Sequence, residues 1–396
     1  MAKWMVSAKK ADFVKIAETF HIDPVIARIM RNRDIETEEQ INQFLYGAPG
    51  DMHSPHLLKD VDKAARILQK QIDGGKRIRV IGDYDIDGVC AAYILVKGLE
   101  LSGARTDVVI PHRIQDGYGL NDDMITKAKE DGIETILTCD NGIAAKDQIA
   151  YAKSLGMTVV VTDHHEVPYE VAKDGARTEC PPPADAVVDP KQNDCGYPFD
   201  GICGAVVAYK LVQVLFELIP VDQVETKLQE LLAFAAFATV GDVMTLIDEN
   251  RIIVKEGLKL IAKSSNVGMQ ALITVNGLQN KPLSAYHIGF VLGPCLNATG
   301  RLDTAYRALR MFRTDDQAEA VTIADELKEL NDSRKNMTLL GTKQAVQMIE
   351  ESPLIDDKVL VVYLPECHES LAGIIAGRLR ERYYKPTFVL TKAEEG

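Results

Sequence analysis

The sequence lacks the features that mark a membrane protein, a disulfide-rich secreted protein or a protein that coats polyanions through bulk charge. No segment approaches the roughly 18 uninterrupted apolar residues of a membrane-spanning helix. The seven cysteines are dispersed, with no pair at CxxC spacing, which is typical of reduced thiols. The net charge of −13 disfavours nonspecific coating of a polyanion. Residues 1–6 carry no export signal, so we expect a cytoplasmic protein without membrane contact.

What is present is an ordinary globular composition, 46% hydrophobic and 26% charged, over 396 residues. That length is enough for two or three domains with substantial cores. We predict an N-terminal helical region over 1–75, an α/β domain over 76–250, a helical connector over 251–352 and the start of a second α/β domain over 353–396. Because a predicted strand runs into a short charged tail, we expect that the chain stops partway through this last domain.

In the second region, strand and helix patterns alternate. Strands are predicted at 77–82, 106–110, 134–139, 157–162 and 185–188, and helices near 88–101, 121–130, 144–155 and 202–218. Such alternation predicts an α/β fold in which helices cover both faces of a parallel sheet. Residues 168–200 contain three consecutive prolines and are predicted to be mostly loop.

Three of these predicted strands end in side chains that suit a divalent metal ion. The candidates are Asp83, Asp85 and Asp87 after the first strand, Asp140 after the third, and Asp163, His164 and His165 after the fourth. The carboxyl ends of parallel strands line a common crevice, so these clusters can converge. Aspartate and imidazole ligands without nearby thiolates favour Mn²⁺ or Mg²⁺ over structural zinc. The sequence therefore predicts a metal-dependent site for phosphate chemistry.

The first cluster alternates along the chain. In an extended conformation Asp83, Asp85 and Asp87 would point to one side, where three carboxylates repel unless a cation lies between them. The structural alternative is a turn that closes the strand, which needs a single aspartate. Gly88 is predicted to open a helix over 89–99, which would place backbone N–H donors near the crevice for phosphate oxygens.

Two adjacent histidines would alternate direction on an extended chain. One of His164 and His165 could therefore ligate a metal ion while its neighbour faces the substrate, and Asp163 could orient a metal-bound ring. We accordingly take His165 and Asp163 as the candidate catalytic residues. A surface histidine pair is the alternative interpretation, and Asp140 could equally belong to a plain turn with the following Asn-Gly.

A further carboxylate, Asp242, follows the apolar helix predicted over 231–240. A carboxylate in so apolar a context is costly unless it is paired or bound to metal. Asp189, after the strand at 185–188, competes for the same role, and the residue pattern does not rank the two. Arg301 ends the small-residue segment 293–302, interpreted as a loop whose guanidinium could bind phosphate in a bidentate manner. A capping or packing role for that segment is the alternative.

These motifs together resemble the DHH phosphoesterase superfamily and, more closely, its single-strand-specific exonucleases. The matching segments are 82–88, 140–142, 163–165, 239–243 and 296–301, and 368–379 resembles the opening of the DHH-associated domain. The resemblance implies a two-metal site, with Mn²⁺ or Mg²⁺ as the ions. Its ligands would be Asp85, Asp87, Asp140, His164 and Asp242, with Asp140 bridging the ions and Asp242 preferred over Asp189.

The resemblance also assigns roles outside the ligand set. His165 would contact the scissile phosphate, and Arg301, with Asn297 of the same motif, would bind a phosphate of the strand. Many relatives carry a histidine four residues before the equivalent of Asp85, but this chain has Ile81 there. Asp83 is expected to fill the place of that histidine as an additional ligand.

The function implied by the resemblance is a metal-dependent exonuclease that hydrolyses phosphodiester bonds of single-stranded DNA from the 5′ end, in DNA repair and recombination. Its expected partners are single-stranded DNA, a helicase and a single-strand-binding protein. Two alternatives stay open. One is a phosphodiesterase for oligoribonucleotides or cyclic dinucleotides, and the other is an inactive scaffold in a replication or repair assembly.

Overall fold

The structure is a computed structural model that describes residues 5, 9–113, 116–117, 119–172 and 174–392. The charged tail after residue 392 and most of the first eight residues lie outside the described residues. The predictions about an export signal and about the end of the chain rest on those segments.

The described residues form helices and strands in the order that the sequence predicts for an α/β protein. The strands are β1 (Arg77–Ile81), β2 (Arg105–Val109), β3 (Thr135–Cys139), β4 (Thr158–Thr162), β5 (Tyr169–Val171), β6 (Arg177–Glu179), β7 (Ala186–Val188), β8 (Leu360–Tyr363) and β9 (Thr387–Leu390). The helices are α1 (Phe13–Phe20), α2 (Pro24–Asn32), α3 (Glu38–Tyr46), α4 (Val61–Asp73), α5 (Ile86–Leu101), α6 (Asp122–Glu130), α7 (Lys146–Ser154), α8 (Gly204–Leu218), α9 (Val224–Gly241), α10 (Asp248–Ala262), α11 (Val267–Val275), α12 (Ala285–His287), α13 (Gly293–Leu302), α14 (Tyr306–Arg313), α15 (Gln317–Glu350) and α16 (Glu369–Tyr383).

Five parallel strands build the main sheet in the order β2-β1-β3-β4-β7. Every residue of β3 is buried, as expected for an inner strand covered on both faces. Chain order runs outward from β1 in both directions, so β1 and β3 flank the point where the strand order reverses. Ligands of open parallel sheets bind at the carboxyl ends of the strands at such a point. The predicted fold class and strands are confirmed, with ends shifted by at most two residues.

Alternate side chains of the strands enter two different cores. Val80 and Leu137 pack with α4, α5, α8 and α9 on one face, whereas Ile81 and Ile136 pack with α6 and α7 on the other. Helix α5 is buried along most of its length, which explains its nearly uniform apolar sequence. The sheet is thus held rigidly between two helical layers, and its strand tips are fixed in position.

The segment between β4 and α8 is more ordered than predicted. Residues 168–200 contain β5 and β6, which pair as a short antiparallel ribbon, in addition to the predicted β7. The periodicity missed this ribbon because both strands are short and largely exposed, and so carry no buried face.

Outside the main sheet, α1–α3 enclose a small core of their own, and the 34-residue α15 leads to the parallel pair β8–β9 and α16. These elements match the predicted helical regions and the predicted second α/β unit. The four-region division with boundaries near residues 75, 250 and 352 stays a prediction.

A buried ion pair joins the N-terminal region to the helices behind the sheet. Lys210 of α8 is 1% exposed and Glu249 of α10 is 0% exposed, with 2.9 Å between Nζ and Oε2. Tyr197 donates its hydroxyl hydrogen to Glu249, and Lys210 also donates to the carbonyl of His53 at 2.5 Å. Each charge in this network, called the Lys210 network below, has an internal partner of opposite sign or a hydrogen bond.

Within the part of the chain that the structure describes, no helix is both long enough and apolar enough to cross a bilayer. The seven cysteines all lie in that part and are free thiols, as predicted.

Candidate metal centre

The tips of β1, β3 and β4 lie side by side because these strands are neighbours in the sheet. Ile81 of β1 is in register with Thr138 of β3, and Cys139 of β3 is in register with Thr162 of β4. Asp83, Asp140 and the segment 163–165 follow these tips directly, so residues from three distant parts of the sequence meet. The predicted convergence of the three clusters is confirmed.

The first cluster does not have the extended conformation that the alternation suggested. Helix α5 begins at Ile86, and Asp85 is its N-cap, with Oδ1 accepting from the amides of Asp87 (2.9 Å) and Gly88 (3.0 Å). Asp87 therefore lies in the first turn of a helix, a position that favours an acidic side chain because of the helix dipole.

The start of α5 also corrects the role predicted for Gly88. Its N–H is engaged by the Asp85 cap, so it is not a free donor for phosphate. A Cβ at this position would lie 2.4 Å from the carbonyl oxygen of Asp83. The glycine thus permits the close approach of strand end and helix that brings Asp83 and Asp85 together.

Asp87 is held by the amino end of a second helix. Its Oδ2 accepts from the amide of Gly204 at 2.7 Å and its Oδ1 from that of Ala205 at 2.8 Å. These are first-turn amides of α8, which have no partner within their own helix. A Cβ on Gly204 would lie 2.8 Å from the Cβ of Asp140, so glycine is needed where helix α8 meets this aspartate.

The turn after β3 presents Asp140 in a left-handed conformation, with φ of 59°. The Asn141 side chain stabilises the turn by donating to the carbonyls of Ile81 (3.1 Å) and Cys139 (2.9 Å). Gly142 follows with φ of 111°, and a Cβ there would meet Thr138 Oγ1 at 2.5 Å. The Asp-Asn-Gly sequence does form a turn, but the turn also places Asp140 in the carboxylate cluster.

The two histidines after β4 take different positions. His164 is buried, and its Nε2 lies 3.0 Å from Asp140 Oδ1, 3.4 Å from Asp87 Oδ2 and 3.9 Å from Asp242 Oδ2. The side chain of His165 is 47% exposed, with Nδ1 2.7 Å from Asp163 Oδ1. The two rings do not point in opposite directions as the alternation suggested, since their centroids are 4.5 Å apart and His165 Nδ1 is also 3.9 Å from Asp140 Oδ1, but only the His165 ring is partly open to solvent.

Asp163 acts through its neighbours. Its Oδ2 accepts from the amide of Ile143 at 2.9 Å, and Oδ1 accepts from the amide of His164 at 2.8 Å. Burial alone would raise the pKa of Asp163, but the hydrogen bonds from His165 and from these amides lower it. The bond with Asp163 in turn raises the pKa of His165. Asp163 therefore positions the ring of His165 and the backbone of His164, not the His164 ring that faces the carboxylates, and its assignment as a catalytic residue stays a prediction.

Distance to the other candidate ligands favours Asp242 over Asp189. Asp242 caps the carboxyl end of α9 and shares a ligand group with Asp87 and His164. Asp189 follows β7, is fully buried and accepts from the amide of Lys191 at 2.8 Å. It belongs to none of the ligand groups found among the described residues.

Three overlapping groups of potential ligand atoms result, each with its atoms within 4.8 Å of one another. They are Asp83, Asp85 and Asp140; Asp87, His164 and Asp242; and Asp140, His164 and His165. All six residues predicted as ligands are present. Asp140 and His164 each belong to two groups, so the three groups are linked into one continuous cluster.

The electrostatics of this centre fit a divalent cation. Burial, followed by the charge of Asp85, raises the pKa of Asp83 to about 7. Burial, followed by Asp87 and Asp85, raises the pKa of Asp242 to about 7 and that of Asp140 well above its usual value. Asp83 Oδ1 is buried without a hydrogen-bond partner among the described residues. Crowded, desolvated carboxylates are the donor set that a hard cation with oxygen ligands would stabilise.

Beside the centre lies an open cavity of about 300 Å³. Asp83, Asp85 and Asp242 line one side, and Tyr84, Arg113, Asn297 and Arg301 are also in its wall. The Arg113 guanidinium lies 4.9 Å from the centre of the Tyr84 ring. Neither residue was predicted, although Arg113 could have been found, because it follows β2 just as the ligands follow their strands.

The segment that carries Arg301 is a helix, not the predicted loop. Residues 293–302 form α13, and a Cβ on Gly300 would lie 2.2 Å from the carbonyl oxygen of Tyr84. The small residues therefore allow a helix to pack closely on the loop that carries Tyr84. Asn297 Oδ1 accepts from the amide of Ile86 at 2.9 Å, at the amino end of α5. Arg301 Nη1 donates to the carbonyl of Ser370, 2.9 Å away, at the start of α16.

The parallel sheet and the acidic and imidazole residues at its strand tips define a DHH-type domain. In agreement, the model of the DHH family, N-terminal domain, matches residues 77–238. The segment thus matched contains β1 to β7 and every ligand candidate except Asp242.

Similar proteins extend this match beyond the sheet. The single-stranded-DNA-specific exonuclease RecJ of Bacillus subtilis (strain 168) is 34% identical over 99% of this chain. A crystal structure of exonuclease RecJ bound to manganese has a TM-score of 0.73 and 34% identity, covering 84% of this chain and 80% of that one. The crystal structure of RecJ in complex with Mn²⁺ from Thermus thermophilus has a TM-score of 0.77 and 30% identity, over 96% of this chain and 52% of that one.

The chain therefore belongs to the RecJ family of DHH proteins. It spans 48% of the length of the Bacillus subtilis relative, so about half of that protein has no counterpart here.

Proposed function

We propose that this chain is the catalytic part of a metal-dependent exonuclease that hydrolyses phosphodiester bonds of single-stranded DNA. The observation that carries the proposal is the set of overlapping ligand groups at the tips of β1, β3 and β4, beside a cavity with two arginines. The RecJ relatives, which are single-stranded-DNA-specific exonucleases or are bound to Mn²⁺ or Mg²⁺, support the substrate and the ions.

In this proposal, two divalent cations, Mn²⁺ or Mg²⁺, are held by Asp83, Asp85, Asp87, Asp140, His164 and Asp242. Asp140, which belongs to two of the ligand groups, would supply carboxylate oxygens to both cation sites, whereas His164 would supply its Nε2 to one of them. Ile81, where many relatives carry a histidine, is a fully buried apolar residue, and Asp83 supplies the additional ligand. When bound, such a pair of ions activates a water molecule and stabilises charge on the phosphoryl oxygens.

The remaining residues bind and orient the substrate. Arg301 and Arg113 bind the phosphate, since both residues line the cavity beside the carboxylates. Burial, followed by the charges of Arg113 and Arg334, lowers the pKa of Arg301, and an anion would relieve this repulsion. Asn297 orients the amino end of α5, and its place in the cavity wall allows a second contact with the strand. His165, oriented by Asp163, contacts the scissile phosphate.

Removal of nucleotides from the 5′ end, a role in DNA repair and recombination, and cooperation with a helicase and a single-strand-binding protein complete the proposal. They rest on the RecJ family alone. A nuclease of this kind works where its DNA substrate is, which favours a cytoplasmic location.

The deciding experiment compares three labelled substrates in the presence of Mn²⁺: a long single strand, the same strand as a duplex, and a dinucleotide. We expect degradation of the single strand, little attack on the blunt duplex, and labelled mononucleotide released first from the 5′ end. Rapid dinucleotide turnover without attack on long strands would instead establish a small-substrate phosphodiesterase, and inactivity on all three would favour a scaffold.

The accompanying variant is Asp140→Asn, which keeps the shape of the side chain but removes the charge shared by two ligand groups. We expect a loss of turnover by a factor of about 10³ or more, because losing one preorganised electrostatic contact already costs about 10²–10³. Asp222→Asn is the matched control, because Asp222 is exposed and belongs to none of the ligand groups found among the described residues. It should leave turnover unchanged. Near-normal cleavage by Asp140→Asn would contradict the proposed centre.

A further inference from the structure

Two aromatic side chains stack on each other at the surface. The rings of Tyr286 and Phe290 have their centroids 5.1 Å apart with 27° between their planes. Tyr286 is 63% exposed and Phe290 is 69% exposed, although an aromatic ring of this size gains most by burial. Their exposure therefore suggests a binding role. Exposed aromatic rings of this kind bind planar ligands by stacking.

The pair belongs to the same helical segment as the cavity residues. Helix α12 passes through a π-helical turn, Ile288–Leu292, directly into α13. Turns of this type are rare and occur frequently at functional sites. Tyr286 and Phe290 stack at a spacing of four residues, and Asn297 and Arg301 have the same spacing within α13, so one helical segment carries the ring pair at one end and the two cavity residues at the other.

The contacts of this helical segment show what it packs against. Asn297 accepts from the amide of Ile86, and a Cβ on Gly293 would lie 3.1 Å from Ile86 Cδ1. The π-helical turn packs against the end of α9, which carries Asp242, as the 3.9 Å between a Cβ on Gly289 and Val240 Cγ1 indicates. Phe290 precedes Asn297 by seven residues, which is about 10 Å along a helix. The aromatic pair thus lies on the same helical segment as the cavity residues Asn297 and Arg301, about 10 Å before them along the helix.

The charge of this part of the chain suits a polyanion. In a protein of net charge −13, no aspartate or glutamate occurs between Glu256 and Asp303. The basic residues within that stretch are Lys259, Lys263, Lys281 and Arg301. The aromatic pair is therefore presented from a segment that does not repel phosphates.

We propose that Tyr286 and Phe290 form a stacking platform for bases of the single strand, a few nucleotides from the phosphate that lies at the metal centre. The inference deepens the proposed function, on which it rests, by assigning a binding subsite that reads no particular sequence. Stacking of a base on an aromatic side chain is worth about 1–3 kcal/mol and is tolerant of sequence because every base has a π-face. At the 3.4 Å rise per nucleotide of a stacked strand, about 10 Å corresponds to about three nucleotides.

The test compares Phe290→Ala, Tyr286→Ala and Phe290→Leu with the wild-type chain. The readouts are equilibrium binding of a fluorescently labelled 20-nucleotide strand without metal, and KM and kcat for the same strand with Mn²⁺. We expect binding to weaken and KM to rise by about 5- to 150-fold in the alanine variants, the factor that corresponds to about 1–3 kcal/mol. We expect kcat at saturating strand and the turnover of a dinucleotide to stay unchanged, because neither depends on distant bases.

Leucine at 290 separates stacking from simple apolar contact, since it keeps bulk but has no ring. It should bind as weakly as the alanine variant. Phe388→Ala is the matched control, because Phe388 is 60% exposed on the outer face of β9, and it should bind the strand like wild type. All these side chains are largely exposed, so the thermal unfolding of the variants should differ little from wild type.

A strand with one abasic nucleotide gives the sharpest readout. When the abasic position is moved from the first to the sixth nucleotide, one or two positions should weaken binding by the wild-type chain. The same positions should cause no further loss in Phe290→Ala, since the ring that they would stack on is already gone. Equal penalties in both proteins would overturn the proposal.

Other outcomes are equally decisive. Unchanged binding and KM in the alanine variants would refute the platform, as would full binding by Phe290→Leu. If the variants change the oligomeric state in size-exclusion chromatography and leave strand affinity intact, the pair is a protein interface. If the wild-type chain binds the strand through the pair without hydrolysing it, the platform stands and the proposed nuclease activity fails.

Discussion

Two clusters of buried charge involve α8, one at its amino end beside Asp87 and one around Lys210, and they differ in their balance of charge. In the Lys210 network, Lys210 and Glu249 neutralise each other and Tyr197 and His53 complete their hydrogen bonds. In the metal centre, carboxylates crowd together at the strand tips, and burial raises the pKa of Asp83 and Asp242 to about 7. A balanced cluster is complete within the fold, whereas an acidic one needs a cation from outside. Imbalance of buried charge, more than burial itself, therefore distinguishes the candidate site.

The largest effect is expected when one charge of the Lys210 network is removed. Lys210→Met leaves Glu249 buried without its cation, and removing one partner of a buried pair typically costs about 3–5 kcal/mol. We expect urea unfolding of the metal-free protein to show a loss of that size. Lys210→Met combined with Glu249→Gln should recover much of it, because no charge is then stranded.

The control for this prediction is Lys227→Met, which removes a partly exposed lysine that pairs with Glu230 on the same helix. Surface pairs of this kind contribute about 0–1 kcal/mol. A loss below about 1 kcal/mol for Lys210→Met would mean that the network is not the balanced unit described above.

The second prediction concerns the metal centre, where an added cation should neutralise the crowded carboxylates. Mn²⁺ added to the metal-free protein should raise the free energy of unfolding, by about 2.7 kcal/mol when the free ion is at 100 times its Kd. The rise should be absent in Asp140→Asn and preserved in Lys210→Met, since the two clusters are independent. Differential scanning calorimetry with and without Mn²⁺ measures the stabilisation of each variant. A stabilisation of Asp140→Asn equal to that of wild type would mean that the ion binds elsewhere.

The smallest effect concerns pH. Asp83 in the metal-free fold keeps its proton up to about pH 7, whereas the unfolded chain loses it near the usual value of 3.8. The folded state is therefore increasingly penalised as pH rises from about 4 to about 7, and the penalty is complete above that range. Between pH 5 and pH 8 we expect wild type to lose about 2.5 kcal/mol more than Asp83→Asn, because about two pH units of this interval lie below the folded pKa of about 7 and each corresponds to about 1.4 kcal/mol.

Chemical denaturation of both proteins at the two pH values, in the presence of a chelator, measures this difference. Saturating Mn²⁺ should abolish it, because a bound cation favours the ionised carboxyl at either pH. An identical pH dependence of the two proteins would show that Asp83 does not carry the buried charge.

The sequence was most informative where one physical constraint dominates. The inner strands are buried on both faces, so their apolar runs predicted β1, β3 and β4 and placed the ligands at their tips. The residue pattern alone could not rank Asp242 and Asp189, which only the family resemblance separated, because the choice depends on how α9 approaches the sheet, which is a tertiary contact. The helix over 293–302 was mistaken for a loop because Gly293 and Gly300 are poor helix formers. Their value lies in close packing against Ile86 and Tyr84, which no local pattern reveals.

Arg301 belongs to two parts of the molecule at once. Its guanidinium lines the cavity, and its Nη1 donates to the carbonyl of Ser370, where α16 begins. An anion that attracts this group away from Ser370 would loosen the contact between α13 and the C-terminal unit. Thermodynamic linkage makes the effect reciprocal, so any partner that shifts α16 changes the affinity of the cavity for anions by the same factor. The C-terminal unit is thus in a position to change the affinity of Arg301 for a phosphate without contacting the phosphate.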